Sequence, residues 1–437
     1  MTFFFLSLFI ILVFLRPQEW LLVWLWGWPL LDVVFLLAMV GFAIEWHEGR
    51  LRFPKECPQI YLLLGLWFAC AMSHIAHTFF AGLIQTAPLA FKLIFFTMVL
   101  IVVLDRPSRL RKMTIVFVAM ACVIALHVLL QANLGYGFAW APPLWVGPSG
   151  GKPGYYRTYF FGIFSDPNDV AQILATAIPL AFSIPKRRSF FGFLLGCAIA
   201  AFLIAGIQTT HSRGGLVALA AAGGMMAGLF LPARWQRWHL LLIVLGFLVM
   251  CPASGKLQDE SAHDRVVFWG QANRIFKKNP IFGIGLNMIT DYIEADRTVH
   301  NAFVLAYTEI GLFGYWFWFG LLQMGLVGAW RGRMRVRRPL NREQEWLRRF
   351  SGLTVAAATA YAASAYFLTR AFVYPFFFLL AMLAAIPVVV RRSLGPGAPR
   401  MFNLHRDIFI GCTVGMLLSV AYIYVSILLL NKAYYNF

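Results

Sequence analysis

Residues 301–349 read NAFVLAYTEIGLFGYWFWFGLLQMGLVGAWRGRMRVRRPLNREQEWLRR. Up to Trp330 there is one charge, Glu309; beyond it come eight arginines. A helix needs ~20 apolar residues to cross ~30 Å of hydrocarbon. Short loops rich in Lys and Arg stay on the cytoplasmic side. Residues 301–330 therefore read as a membrane span and 331–349 as a basic cytoplasmic loop that meets anionic headgroups.

The same alternation runs outward in both directions. Apolar runs predict spans near 3–15, 29–46, 58–80, 86–104, 114–134, 169–185, 190–208, 214–231, 239–252, 351–369, 371–390 and 408–430. The first and ninth of the full set are short, so the expectation is 12 or 13 spans. The N-terminal run lacks a basic leader and an A-x-A site, and reads as a retained first helix. Composition agrees: 60% of residues are apolar, 16% aromatic and only 13% charged, where a soluble domain carries about a quarter charged residues. The expected fold class is an all-α polytopic membrane protein forming a single integral domain over 1–437.

A net charge of +19 raises the possibility of a nucleic-acid partner. The position of the charges argues against it. Most basic residues fall in six short segments: Arg50–Lys55, Arg106–Lys112, Lys186–Arg188, Arg234–Arg237, Arg331–Arg349 and Arg391–Arg406. With the N-terminus inside, all six lie on the cytoplasmic face. The six cysteines sit in or beside apolar runs without a CxxC spacing. They read as small core residues, not as a disulfide framework or a metal site.

Two longer segments then fall on the opposite, non-cytoplasmic face. Residues 135–168 are rich in Gly and Pro, and 253–300 hold equal numbers of acidic and basic residues. Within the second, Ser261 and Asp264 form an S-x-x-D capping pattern. Val266, Trp269, Ala272 and Phe276 follow at helical spacing, and Asn279-Pro280 supplies a stop. This predicts an amphipathic helix of about four turns, lying on the membrane surface or covering the helix bundle.

Charges at or near membrane depth are costly, at ~2.5–3.5 kcal/mol each, so each needs a reason. On the non-cytoplasmic side they are Arg16, Lys92, Arg157, Asp166, Asp169, Arg213, Arg265, Arg274, Arg297, His300, Glu309 and Arg370. Arg213 lies in THSRGG between two spans, where glycine permits close approach and a guanidinium can grip a phosphate bidentately. An interfacial snorkelling arginine would look the same. Arg265 begins the amphipathic helix, with Val266 and Trp269 expected to meet lipid. His300 stands at the mouth of a span and can take a proton from a hydroxyl, although such a histidine is also a common hydrogen-bonding anchor. Asp166-Pro-Asn-Asp169 reads as a helix cap, a divalent-metal role being the alternative. Glu309 reads as a helix-to-helix hydrogen bond. Gly283-Ile284-Gly285 lacks the third glycine of a dinucleotide fingerprint.

Several of these residues fall into a longer pattern. Thr210–Gly214 is a T-x-S-R-G element; Arg265 precedes Trp269; Asn279–Gly285 is N-P-x-x-G-x-G; and His300-Asn301 precedes E-x-G-x-x-G at Glu309–Gly314. The region resembles the signature of the O-antigen ligase and polymerase family of bacterial membrane glycosyltransferases. FGIFSDPNDVA, residues 161–171, looks like a variant seen in exopolysaccharide-associated members. The resemblance implies a GT-C-type helical fold in the inner membrane with a periplasmic active site. It implies transfer of a glycan from undecaprenyl diphosphate to an acceptor hydroxyl, without metal or cofactor. By that resemblance Arg213 and Arg265 hold the donor diphosphate, and His300 serves the acceptor hydroxyl as base or positioning group. Arg157, Arg370, Asp166, Asp169 and Glu309 are accessory candidates; Arg157 and Arg370 have no motif behind them and are added on position. The partners implied are a polyprenyl-diphosphate-linked glycan donor, a glycan or lipid A core acceptor, and membrane lipids.

The segment between Pro252 and Val299 is short for a ligase, which bears on the acceptor more than on the donor. Ligation and repeat-unit polymerisation are left open by the residues. A transporter of lipid-linked sugars would show matched broken helices and charges spread through the membrane depth; here they gather at one side. A non-catalytic scaffold would tolerate loss of Arg213 or His300.

Overall fold

The computed structural model describes residues 1–148, 153–187, 189–232, 234–236, 238, 239, 242, 246, 260–293, 298–395 and 397–435. The helices among them are α1 (Thr2–Leu15), α2 (Leu30–His47), α3 (Pro58–Ile75), α4 (Phe80–Val103), α5 (Pro107–Leu134), α6 (Pro167–Ala181), α7 (Phe190–Thr209), α8 (Arg213–Gly228), α9 (Glu260–Lys278), α10 (Ala302–Arg335), α11 (Arg342–Ala365), α12 (Tyr374–Leu394) and α13 (Gly411–Tyr435). Twelve of the predicted spans coincide with one of these helices; of the ninth, 239–252, all but residues 239, 242 and 246 lie outside the described residues. Among the described residues, eight stretches are long and apolar enough to cross a membrane: α2, α3, α4, α5, α7, α10, α12, and Leu404–Leu429 at α13. This is an all-α integral membrane protein.

Boundaries differ from those read off hydropathy. The helix α5 begins at Pro107, α10 runs on to Arg335 and α11 starts at Arg342, so most of the expected basic loop 331–349 is helical. A helix satisfies its own backbone in water as well as in lipid, and hydropathy marks only the lipid-facing part. The segment 135–168 holds an unexpected antiparallel pair, β1 (Leu144–Val146) and β2 (Tyr155–Arg157), with Leu144 opposite Arg157.

The core is built on α10, which packs against α3, α11, α12 and α13, while α11 also packs on α6 and α8. Trp318, Tyr307, Tyr315 and Phe377 are sealed within it. The expectation that α9 lies with Val266 and Trp269 against lipid is corrected. Val266, Trp269, Ala272 and Phe276 are all buried, and α9 packs on α10 and α13. Asn273 on the same helix accepts a 2.6 Å hydrogen bond from the Tyr307 hydroxyl, a polar match that a lipid surface does not offer. The helix also begins at Glu260, so Ser261 and Asp264 fall inside its first turns.

The six basic segments meet at one end of the bundle. Arg111 reaches the Ile184 carbonyl at 2.6 Å, and Arg349 that of Pro185. Arg333 reaches Leu229 at 3.1 Å and Arg392 reaches Asp105 at 3.0 Å. Arg391 pairs with Glu56, and Arg331 pairs bidentately with Asp407. From this basic end α11 rises toward the other, whereas α6, α8, α10 and α12 descend from it.

Candidate functional site

At the far end, the starts of α6 and α8 are cross-braced through one side chain. Asp166 caps α6, accepting from the Asn168 backbone N–H at 2.7 Å; such a cap is worth about 1 kcal/mol. Ser212 caps α8, accepting from Gly215 N–H at 3.1 Å, and its hydroxyl donates to Asn168 Oδ1 at 2.7 Å. Arg157, at the end of β2, donates to that same oxygen at 3.1 Å and to the Thr210 carbonyl at 2.9 Å. The hairpin is thereby tied to both helix starts. Burial pushes the Arg157 guanidinium below its ordinary pKa, and the nearby Asp166 and Tyr155 oppose that shift.

Arg370 lies between α11 and α12 and closes a bidentate pair onto Asp169, one bond being 2.8 Å. Asp169 is 3% exposed and Arg370 about a third exposed. The hydrogen bonds that Arg370 donates to the Asp169 carboxylate hold its pKa above its ordinary value. The Arg370 connector adjoins two further pieces. Thr369 and Thr298 share a 2.8 Å hydroxyl hydrogen bond, which brings in the segment leading to His300. A Cβ placed on Gly214 would stand 3.6 Å from Phe367 Cβ, so the start of α8 and Arg213 adjoin the same connector.

His300 has φ +46°, in the left-handed region, at a cost of order 1–3 kcal/mol that surrounding contacts must offset. Both neighbours are pinned. Trp269 Nε1 donates to the Val299 carbonyl at 2.6 Å, and the Trp269 ring packs edge-on against Tyr366 at 5.4 Å. Asn301 caps α10, accepting from Phe303 and Val304 N–H at 3.0 and 3.1 Å. The His300 ring itself is half-buried. Arg265 is half-buried one helical turn before Trp269 and shares its face, while Arg213 is exposed as the first residue of α8.

Glu309 is engaged elsewhere. It accepts from the backbone N–H groups of Asn287, Met288 and Ile289, the last at 3.3 Å. Around it the two glycine motifs interlock: Gly285 N–H bonds to the Glu309 carbonyl at 3.0 Å and Leu312 N–H to Pro280 at 2.8 Å. Gly311 has φ +63°, and a Cβ there would lie 2.2 Å from the Ile281 carbonyl oxygen. His77 braces the same turn, its Nε2 2.6 Å from the Gly283 carbonyl. Gly283 and Gly311 are thus needed for backbone-to-backbone contact.

Of the other outer charges, Arg16 pairs with Glu19 at 2.9 Å and Lys92 with Asp32 at 2.7 Å; Arg297 lies outside the described residues. Sequence reasoning missed Asn168, the Thr298–Thr369 bond and the Trp269–Val299 bond. Asn168 lay inside the quoted DPND, but nothing in the sequence indicated that one oxygen would serve two elements.

The fold and this end of it define a class: a polytopic membrane protein with cationic and titratable side chains gathered at one end of its helix bundle. Residues 197–319 match a model of the O-antigen ligase family. The match supports membership of that family, and it contains Arg213, Arg265, His300 and Glu309. A comparison with curated proteins finds no match.

Proposed function

We propose that the protein transfers a glycan from a polyprenyl diphosphate, such as undecaprenyl diphosphate, to an acceptor hydroxyl at the periplasmic face of the inner membrane. The observation that carries this is His300, held in a left-handed conformation between two pinned neighbours, on a segment bonded to the Arg370 connector. A lipid diphosphate keeps its tail in the bilayer and its charge at the interface, where Arg213 and Arg265 stand. In this reading the two arginines bind the diphosphate and stabilise it as it leaves. The acceptor oxygen bonds to the anomeric carbon as the carbon–phosphate oxygen bond breaks, and its proton passes to His300, inverting the centre. Arg370, positioned by Asp169, and Arg157, positioned by Asn168, extend the cationic wall. The exposed rings of Trp145, Tyr155 and Tyr156 beside Arg157 offer flat apolar faces on which a sugar can stack.

The reading is a ligase acting on lipid A core or another acceptor; repeat-unit polymerisation uses the same chemistry with a second lipid-linked glycan as acceptor. The test is transfer by the purified protein in EDTA from a lipid-diphosphate donor, beside folded His300→Ala and Arg213→Ala. Loss of transfer in both, by about 10²-fold or more, is expected. Full activity in either removes that residue from the site. Supplying lipid-linked repeats as the only acceptor separates the two reactions, since polymer grows only if the protein polymerises.

A further inference from the structure

At the basic end, the bundle leaves cavities that the transfer reaction does not use. One, of about 790 Å³, is lined by Arg391 with its partner Glu56; another, of about 860 Å³, by Arg331 and Arg406 with their shared partner Asp407. In both, the protein supplies a carboxylate.

The third, of about 940 Å³, differs. One wall is Arg333, Arg335, Arg337, Arg338 and Arg348, from the end of α10 to the first turns of α11, and no carboxylate is among its lining residues. Arg333 and Arg348 spend donors on the carbonyls of Leu229, Arg348 and Arg337. Arg335, Arg337 and Arg338 are exposed, and their side chains make no hydrogen bond or ion pair with the described residues. Five guanidinium groups crowded without a counter-charge repel one another, and a bound anion relieves that repulsion. Guanidinium forks match phosphate oxygens bidentately.

The opposite wall decides the source of the phosphate. It is residues 229–232, Leu-Phe-Leu-Pro, at the foot of α8, and Phe230 is 78% exposed. A free phosphate has no use for that wall. A molecule with phosphate at one end and an alkyl chain at the other uses both.

We propose that this cavity, between the ends of α8 and α10 and the start of α11, binds an anionic glycerophospholipid. Its phosphodiester lies on Arg335, Arg337 and Arg338, and an acyl chain runs over Phe230 and Leu231. Basic pockets between helices at a membrane surface bind headgroups by this chemistry. The inference is independent of the transfer reaction.

The test is native mass spectrometry of the delipidated full-length protein, titrated with phosphatidylglycerol or phosphatidylcholine of the same acyl chains. The wild type should prefer phosphatidylglycerol by about tenfold or more, each exposed arginine contributing a factor of a few. The combined substitution Arg335→Ala, Arg337→Ala, Arg338→Ala should bring the preference near parity. Removing three exposed basic-end cations outside the cavity (Lys112, Lys186, Arg187) should leave it intact. Phe230→Ser should weaken phosphatidylglycerol binding severalfold. The proposal is overturned if the triple variant keeps the preference, if the Lys112/Lys186/Arg187 control loses it equally, or if Phe230→Ser has no effect. It is also overturned if inorganic phosphate, at matched ionic strength, displaces the lipid, which would assign the cavity to a soluble anion. If the triple variant does not fold, Arg337→Ala and Arg338→Ala are read singly, each expected to lower the preference two- to threefold.

Discussion

Arg370 and Asp169 are 201 positions apart in the chain, and their ion pair joins the α11–α12 connector to the first turn of α6. Removing the arginine strands a buried carboxylate, whereas removing the aspartate leaves a guanidinium that still reaches water. Arg370→Ala should therefore destabilise more than Asp169→Ala, by about 2–3 kcal/mol, below the cost of breaking a fully sealed pair. Thermal unfolding in detergent micelles checks this, and equal melting temperatures for the two variants would refute the asymmetry. His300 gives a second prediction at this scale, through its neighbour. Trp269→Phe keeps the ring against Tyr366 but loses the bond to the Val299 carbonyl, a change worth about 1 kcal/mol of stability. If Trp269 positions His300, turnover should drop severalfold more than donor KM rises; a change confined to KM would argue against that role. Such pairings were hidden in the sequence. Asp166 was legible as a cap because its partner is two residues away. The partners of Asn168 lie 11 and 44 residues away, that of Thr298 71 and that of Trp269 30.

The lock between Pro280–Gly285 and α10 is the clearest case at the scale of elements. Gly311 has φ +63° and ψ −175°, a combination that essentially only glycine adopts. Its missing Cβ is what lets Ile281 approach. Gly311→Ala should cost several kcal/mol and loosen the 280–293 turn, seen as a lower melting temperature and faster proteolysis there. Gly214→Ala, whose Cβ would meet Phe367 at an ordinary contact distance of 3.6 Å, should fold normally, and an equal loss in both would remove the steric explanation. Helices were legible wherever apolar residues ran for about twenty positions. Their polar extensions, such as Arg342–Phe350 of α11, were not, because hydropathy reports lipid contact and the backbone does not need it. The hairpin β1–β2 was masked by its Gly/Pro-rich surroundings. For α9 the periodicity gave the right helix but could not tell which apolar surface its stripe would meet.

Over the whole molecule, the convergence of six basic segments at one end bears out their predicted grouping on a single face. By the positive-inside rule that end is expected to face the cytoplasm. Cysteine introduced at Arg338 should then react with an impermeant maleimide only in inverted vesicles, and cysteine at Trp145 only in right-side-out ones. Labelling of both from the same side would sink the two-ended arrangement. The arrangement itself was readable from charge and hydropathy together, since both vary in long blocks.

The direction of the chain through the bundle has an electrical consequence. Four neighbouring helices, α6, α8, α10 and α12, all start at the end where Arg157, Arg213, His300 and Arg370 stand. Each helix start carries a fraction of a positive charge, about half an elementary unit. Together these backbone dipoles add a fixed positive potential that no side-chain substitution removes. An anion approaching this end therefore meets attraction even where an arginine has been replaced. Single Arg→Ala variants should accordingly keep part of their hold on a diphosphate, while the orientation that a guanidinium fork imposes is lost.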